Sequence, residues 1–130
     1  MSTVGIFTLP YEPYASKNKM HGHTKTGRIF LHPKARAWRK NFSEQIKHWL
    51  NDNAIAAPQR GQPVSVSLTC CFPPQGGKGR GHKSDSGNFV DLTLDSVKDG
   101  LGIDDYSFSV SAKPGSVDPN GGHFVCLIEL

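Results

Sequence analysis

From Val64 to Phe72 the chain alternates: Val64, Val66, Leu68, Cys70 and Phe72 are apolar, and Ser65, Ser67, Thr69 and Cys71 fall between them. A period of two predicts a half-buried strand, stopped by Pro73. The run from His123 to Leu130 repeats it, with Phe124, Cys126, Ile128 and Leu130 on one side. So does the stretch with Tyr106, Phe108 and Val110 set against Ser107, Ser109 and Ser111. Two shorter apolar runs, Thr3 to Leu9 and Arg28 to His32, also read as strands; Pro10 and Pro13 end the first.

Helical spacing occurs twice. Pro33 stands at a favoured first helical position, and Ala35, Trp38, Phe42, Ile46, Trp49 and Leu50 then recur on one face. Those aromatics read as core rather than as base-stacking residues, and Asn51-Asp52-Asn53 ends the helix. A second helix is expected to start at a cap of Ser84, Asp85 or Ser86 and to end at Gly100 or Gly102. Its predicted apolar side is Val90, Leu94, Val97 and Leu101, widened by Phe89 and Leu92, with Asn88, Asp91, Asp95 and Lys98 opposite. Ala15 to Gly27 lacks apolar periodicity and reads as an exposed, mobile loop, and Ala54 to Gln62 as a linker. The order strand, loop, strand, helix, strand, helix, strand, strand gives a mixed α/β (α+β) class. One domain spanning 1–130 is expected, a small mixed or antiparallel sheet with two helices on one face. Strand order does not follow from the pattern.

Composition narrows the class. A chain of 130 residues, 36% hydrophobic with 14 Gly and 9 Pro, has material for a sizeable core and many loops. No run approaches the length of a membrane span, and the first residues are not those of a secretory signal. Cys70, Cys71 and Cys126 make an odd set that fits small core residues of a reduced, cytoplasmic protein.

Charge changes the picture most. Between Asp85 and Asp105 lie six of the eleven acidic residues, against one lysine, in a chain of net charge +4. Oxygen ligands gathered in one place repel unless a hard cation neutralises them; the other reading is a solvated helix face. Asp91 and Asp95, four apart, repel by roughly 0.2–0.5 kcal/mol without such a cation. Pro13 to Ser43 is the reverse: it has no acid and eight bases, among them Lys17, Lys19, Lys25, Arg28, Arg36 and Lys40. Gln75 to Lys83, a Gly-rich arm carrying Lys78, Arg80 and Lys83, leads into the acids. It lacks the strand–GxxxxGK[ST]–helix form of a P-loop. These cations suit contact with a phosphate backbone. His21-x-His23 is compatible with a metal, but no third ligand stands at a diagnostic spacing.

Three features in order resemble the RusA family of crossover-junction endodeoxyribonucleases (Holliday junction resolvases). They are the early strand ending at Pro10 with the Ser16-Lys17-Asn18 turn and basic loop; Gly27 to Leu31 followed by the Pro33 to Trp38 helix; and the acidic helix. The last is similar to the family's D-x-D-N-x-x-K-x-x-x-D, followed by a paired Asp. Asp85, Asn88, Asp95 and the Asp104-Asp105 pair occupy matching positions. Gly87 stands where a second aspartate is usual, and Asp91 where a lysine is usual.

The resemblance implies metal-assisted phosphodiester hydrolysis in recombination and repair, on branched DNA, by a homodimer. It implies Asp85, Asp91, Asp104 and Asp105 as ligands of Mg²⁺ (Mn²⁺ as a substitute). Asp85, Asp91 and Asp105 would be catalytic, with Lys83 beside the scissile phosphate. Lys17, Lys19, Lys25, Arg28, Arg36, Lys40, Lys78, Arg80 and Lys83 are the candidate DNA contacts. Two other readings stand beside it: a nucleic-acid-binding protein of the same fold impaired in cleavage, and a module that docks on complementary protein surfaces.

Overall fold

In the alternating run from Val64 to Cys71 (β4) the inward residues Val64, Val66, Leu68 and Cys70 are almost wholly buried. The computed structural model, which describes residues 3–74, 86–103 and 108–130, places β4 inside a four-stranded mixed sheet. On one side β4 pairs antiparallel with β6 (His123–Glu129), with Leu68 opposite Cys126. On the other it pairs parallel with β5 (Phe108–Pro114), with Val66 opposite Val110. Strand β1 (Val4–Pro10) pairs antiparallel with the far side of β6, giving the order β1-β6-β4-β5. A parallel pair needs a crossover. Here the chain between β4 and β5 contains a 3-10 turn (Ser86–Phe89) and helix α2 (Val90–Leu101). The mixed α+β class read from the sequence is the class observed.

Helix α1 (Pro33–Asp52) begins as expected, with the Lys34 N–H donating to Nδ1 of His32 at 3.1 Å. It ends where Asn53 Nδ2 donates to the Trp49 carbonyl at 2.8 Å. Ala35, Trp38, Phe42, Ile46 and Leu50 are buried, the stripe the spacing predicts.

Three expectations are corrected. First, α2 buries Leu92, Thr93, Ser96, Val97, Gly100 and Leu101, while Val90 and Leu94 are only half-buried. The buried face is therefore rotated toward small residues, because α1 approaches closely there. A Cβ on Gly100 would lie 2.6 Å from the Ile46 Cβ. The two buried hydroxyls are satisfied: Thr93 Oγ1 donates to the Phe89 carbonyl at 2.7 Å and Ser96 Oγ to the Leu92 carbonyl at 2.8 Å. Second, Ser86 does not cap α2; its hydroxyl donates to the Lys113 carbonyl, and the helix starts four residues later, after the 3-10 turn. Gly102, at φ 73°, forms the C-terminal cap.

Third, the span expected as a loop is partly built. His21–His23 (β2) pairs antiparallel with Ile29–Leu31 (β3) in a separate two-stranded sheet, and Ala15, Ser16 and Met20 are buried. At the turn, the Arg28 N–H donates to Thr24 Oγ1 at 3.0 Å, the Thr24 and Thr26 hydroxyls pair at 3.0 Å, and Gly27 takes φ 83°. Among the described residues, no helix is long and apolar enough to cross a membrane. All three cysteines are free; Cys70 and Cys126 lie in the core, and burial pushes the Cys126 thiol up to about 12.

The close approach of the helices yields the first prediction. Alanine normally stabilises a helix interior relative to glycine by about 1 kcal/mol. Gly100→Ala will instead destabilise the protein by about 1–3 kcal/mol, the usual cost of overpacking. Urea unfolding checks this; an unchanged or raised midpoint would show that the helices do not meet at Ile46.

Candidate active site

Phe89, where the 3-10 turn passes into α2, is buried in an aromatic group at the end of the sheet. Its ring centroid lies 4.9 Å from Phe124, 5.8 Å from Phe72 and 6.2 Å from Tyr11. Those rings come from the first residue beyond β4, the first beyond β1, and the start of β6. The carboxyl ends of the parallel strands β4 and β5 lie at this same end, the end at which open α/β sheets place their ligands.

Two hydrogen bonds complete the mount. Ser86 Oγ donates to the Lys113 carbonyl at 3.0 Å, tying the turn to the end of β5. The Lys17 N–H donates to the Asn88 carbonyl at 2.7 Å, tying it to the Ser16-Lys17-Asn18 turn. Ser16 is buried there, and its Oγ accepts the Asn18 N–H at 3.3 Å. Basic and acidic segments far apart in the sequence, at Lys17 and Asn88, are thus joined through the backbone.

The acids of α2 divide by position. Arg39 of α1 makes a two-point pair with Asp99, at 2.6 Å through Nε and 3.1 Å through its second terminal nitrogen, and its other nitrogen lies 3.8 Å from Asp95. The hydrogen bond from Arg39 holds the Asp99 carboxyl below the usual carboxylate range and raises Arg39 itself. Both partners are more than a third exposed or close to it, so the pair contributes at most about 1 kcal/mol. Asp91 lies one turn nearer the start of α2, exposed, with no ion-pair partner among the described residues. The helix dipole there favours a negative group.

Of the carboxylates expected at the site, Asp91 alone is described; Asp85, Asp104 and Asp105 lie outside the described residues, as do Lys78, Arg80 and Lys83. Among the described residues no group of three or more His, Cys, Asp or Glu side chains gathers as a metal site, and this includes His21 and His23. Asp95, which matches a family position, is engaged by Arg39.

The predicted cations among the described residues fall in two groups. Lys17 and Lys19 lie in the turn beside Asn88, and Lys25 and Arg28 lie at the tip of the β2–β3 hairpin. Arg36 and Lys40 instead line a groove of about 550 Å³ with Arg39, Lys47, Ser43, Leu31 and Asp99. Arg36 is steadied by donating to the Leu31 carbonyl at 3.2 Å. Sequence reading did not single out Arg39, whose partner Asp99 is sixty positions away, nor the ring stack of Tyr14 on His32, with centroids 3.8 Å apart.

Comparison with known proteins adds two findings. A search of curated proteins finds no match to the chain. The family model described as endodeoxyribonuclease RusA matches residues 10–115. That match spans the basic turn, the hairpin, both helices and the parallel strand pair, well over half of the sequence, and so the chain belongs to the RusA endodeoxyribonuclease family.

Proposed function

We propose that this protein is a metal-dependent endonuclease that cuts branched DNA, four-way junctions in particular, in recombination and repair. The observation that carries the reading is the Lys17–Asn88 hydrogen bond, which sets a phosphate-binding turn against the start of the acidic helix. A DNA strand held by Lys17 and Lys19 passes beside Asp91. The Arg36, Lys40 and Lys47 groove supplies a second backbone track.

The donors fit a hard cation. Asp85, Asp91, Asp104 and Asp105 offer oxygen ligands only, the set that Mg²⁺ takes and that Mn²⁺ accepts. These carboxylates would hold the ion, which would supply activation of a water and stabilisation of charge on the phosphate. Asp91 takes the part of the carboxylate missing at Gly87, standing in the first turn of α2 directly after the 3-10 turn that holds Gly87. Arg39 leaves it available by engaging Asp95 and Asp99 instead. Lys83 neutralises the scissile phosphate, and Lys25, Arg28, Lys78 and Arg80 extend the electrostatic footprint along the DNA.

Cutting two strands of a junction calls for two matched sites, and a homodimer provides them. The outer face of the sheet suits that contact. Across its middle run Ile6, Leu127, Ser67 and Ser111, with Ile6 68% exposed, and no charge lies in that row. Glu129 lies toward one end of the face and Lys113 toward the other, so a two-fold that reverses strand direction carries each Glu129 to the Lys113 end.

Two predictions follow from this reading. With Mg²⁺, the protein will place paired nicks near the crossover of a labelled four-way junction and leave a matched linear duplex intact; EDTA will stop the reaction. Asp85→Asn, Asp91→Asn and Asp105→Asn will each lower the rate by about a hundredfold or more, the order of losing one electrostatic stabiliser. Junction binding without cleavage in either metal would favour a binding protein impaired in catalysis, the reading that Gly87 and Asp91 themselves raise. In sedimentation, wild type will run as a dimer and Ile6→Glu with Leu127→Lys as a folded monomer; a wild-type monomer would remove the paired-site arrangement.

A further inference from the structure

The β2–β3 hairpin carries apolar side chains where a phosphate-binding element alone would not. Ile29 is 62% exposed and Phe30 38% exposed, although they stand between the cations Arg28 and Lys34 in a stretch without any acid. Neither is needed to fill the core: Leu31, next along, is the residue of β3 that packs against it. Phe30 lies over Gly22 on the opposite strand, where a Cβ would come within 2.5 Å of the ring, so its ring is held flat against the hairpin.

The hairpin is rigidly mounted. The His32 N–H donates to the Met20 carbonyl at 2.6 Å, and the Met20 N–H to the Ser16 carbonyl at 2.8 Å, one residue from the Lys17–Asn88 bond. Met20 is buried at its base, and the Thr24, Thr26 and Arg28 hydrogen bonds close its tip. Strand rise puts Ile29 and Phe30 about 3–7 Å beyond Leu31, the length of one or two base-pair steps.

We propose that this hairpin is a wedge, with Ile29 entering between bases at the branch point and Phe30, on the other face, stiffening the strand that carries it, while Lys25 and Arg28 hold the flanking phosphates. Intact duplex stacks its bases and shields them from such side chains, whereas a branch point presents unstacked or easily unstacked ends. Aliphatic and aromatic side chains fill such openings elsewhere in nucleic-acid recognition. The wedge thereby prefers junction over duplex at a distance from the hydrolytic residues. The inference rests on the branched-DNA reading and goes beyond it by assigning the source of structure selectivity.

The test uses a four-way junction with 2-aminopurine next to the crossover, in EDTA so that the strands stay whole. Wild-type binding will raise the probe's emission as its neighbours unstack. Ile29→Ser and Phe30→Ser will bind without that rise, and Ile29→Ser will weaken junction binding about tenfold, as expected for one aliphatic side chain returned to water. Its slope of log affinity against log salt will stay at the wild-type value, whereas Lys25→Ala will reduce that slope by about one. Because Ile29 packs against little, its loss leaves folding intact and keeps the test decisive even if Phe30→Ser loosens the hairpin. Wild-type binding with no change in emission, or an Ile29→Ser variant that unstacks the probe as well as wild type, would overturn the wedge alone. Absence of wild-type junction binding at low salt would overturn the branched-DNA reading and the wedge with it.

Discussion

The burial of one ring, Phe89, is the constraint on which the arrangement of this protein depends. Everything charged in α2 is placed by where that ring sits, because Phe89 is the last residue before the helix and its neighbours come from β1, β4 and β6. Removing a phenyl ring from such a site costs about 3–5 kcal/mol. The larger consequence is geometric: Phe89 is the buried apolar residue of the 3-10 turn, and Ser86 and Asn88 add hydrogen bonds to the Lys113 carbonyl and from the Lys17 N–H. Trp38 extends the same group into α1, lying 5.7 Å from Phe124 while its indole N–H donates to the Pro10 carbonyl. One aromatic group therefore fixes both helices against one end of the sheet.

The helices meet through small residues at the other end of α2. Gly100 against Ile46 lets the backbones come close, and in the same helix pair Arg39 reaches Asp95 and Asp99. The ion pair adds little stability in its exposed setting. Its effect is on distribution: it neutralises the acids farther along α2 and leaves Asp91 at the helix start.

Strict alternation made β4 and β6 legible from sequence, and helical spacing behind Pro33 made α1 legible, because burial on one face imposes a period on residue type. Of the hairpin, β3 was legible as the run Arg28 to His32, and β2 and its pairing were not. The hairpin's strands are three residues long, His21-Gly22-His23 has no apolar member, and its order comes from the Thr24 turn and from Phe30 covering Gly22. The rotated face of α2 was hidden for a related reason: Thr, Ser and Gly do not register as hydrophobic, yet they are the residues that a close helix contact requires. At the site, the acidic concentration between Asp85 and Asp105 was plain from composition alone. Which acids are already paired was not, since Arg39 and Asp99 meet only in the fold.

A chain with eight bases in one segment and six acids in another faces an evident hazard, that the two neutralise each other and leave nothing for a ligand. The fold limits this by choosing which atoms meet. Lys17 reaches Asn88 through its backbone N–H, so its ammonium takes no part in the bond, and the partner is a carbonyl rather than a carboxylate. Lys17 is thus tied three residues before Asp91 without an ion pair between the two. Arg39 is engaged instead by the two acids farther along the helix. The turn proposed to hold phosphate and the carboxylate proposed to hold a cation thus share one mount without an ion pair among the described residues. The proposed reaction would need that separation, because the phosphate would be held by cations and the metal by acids.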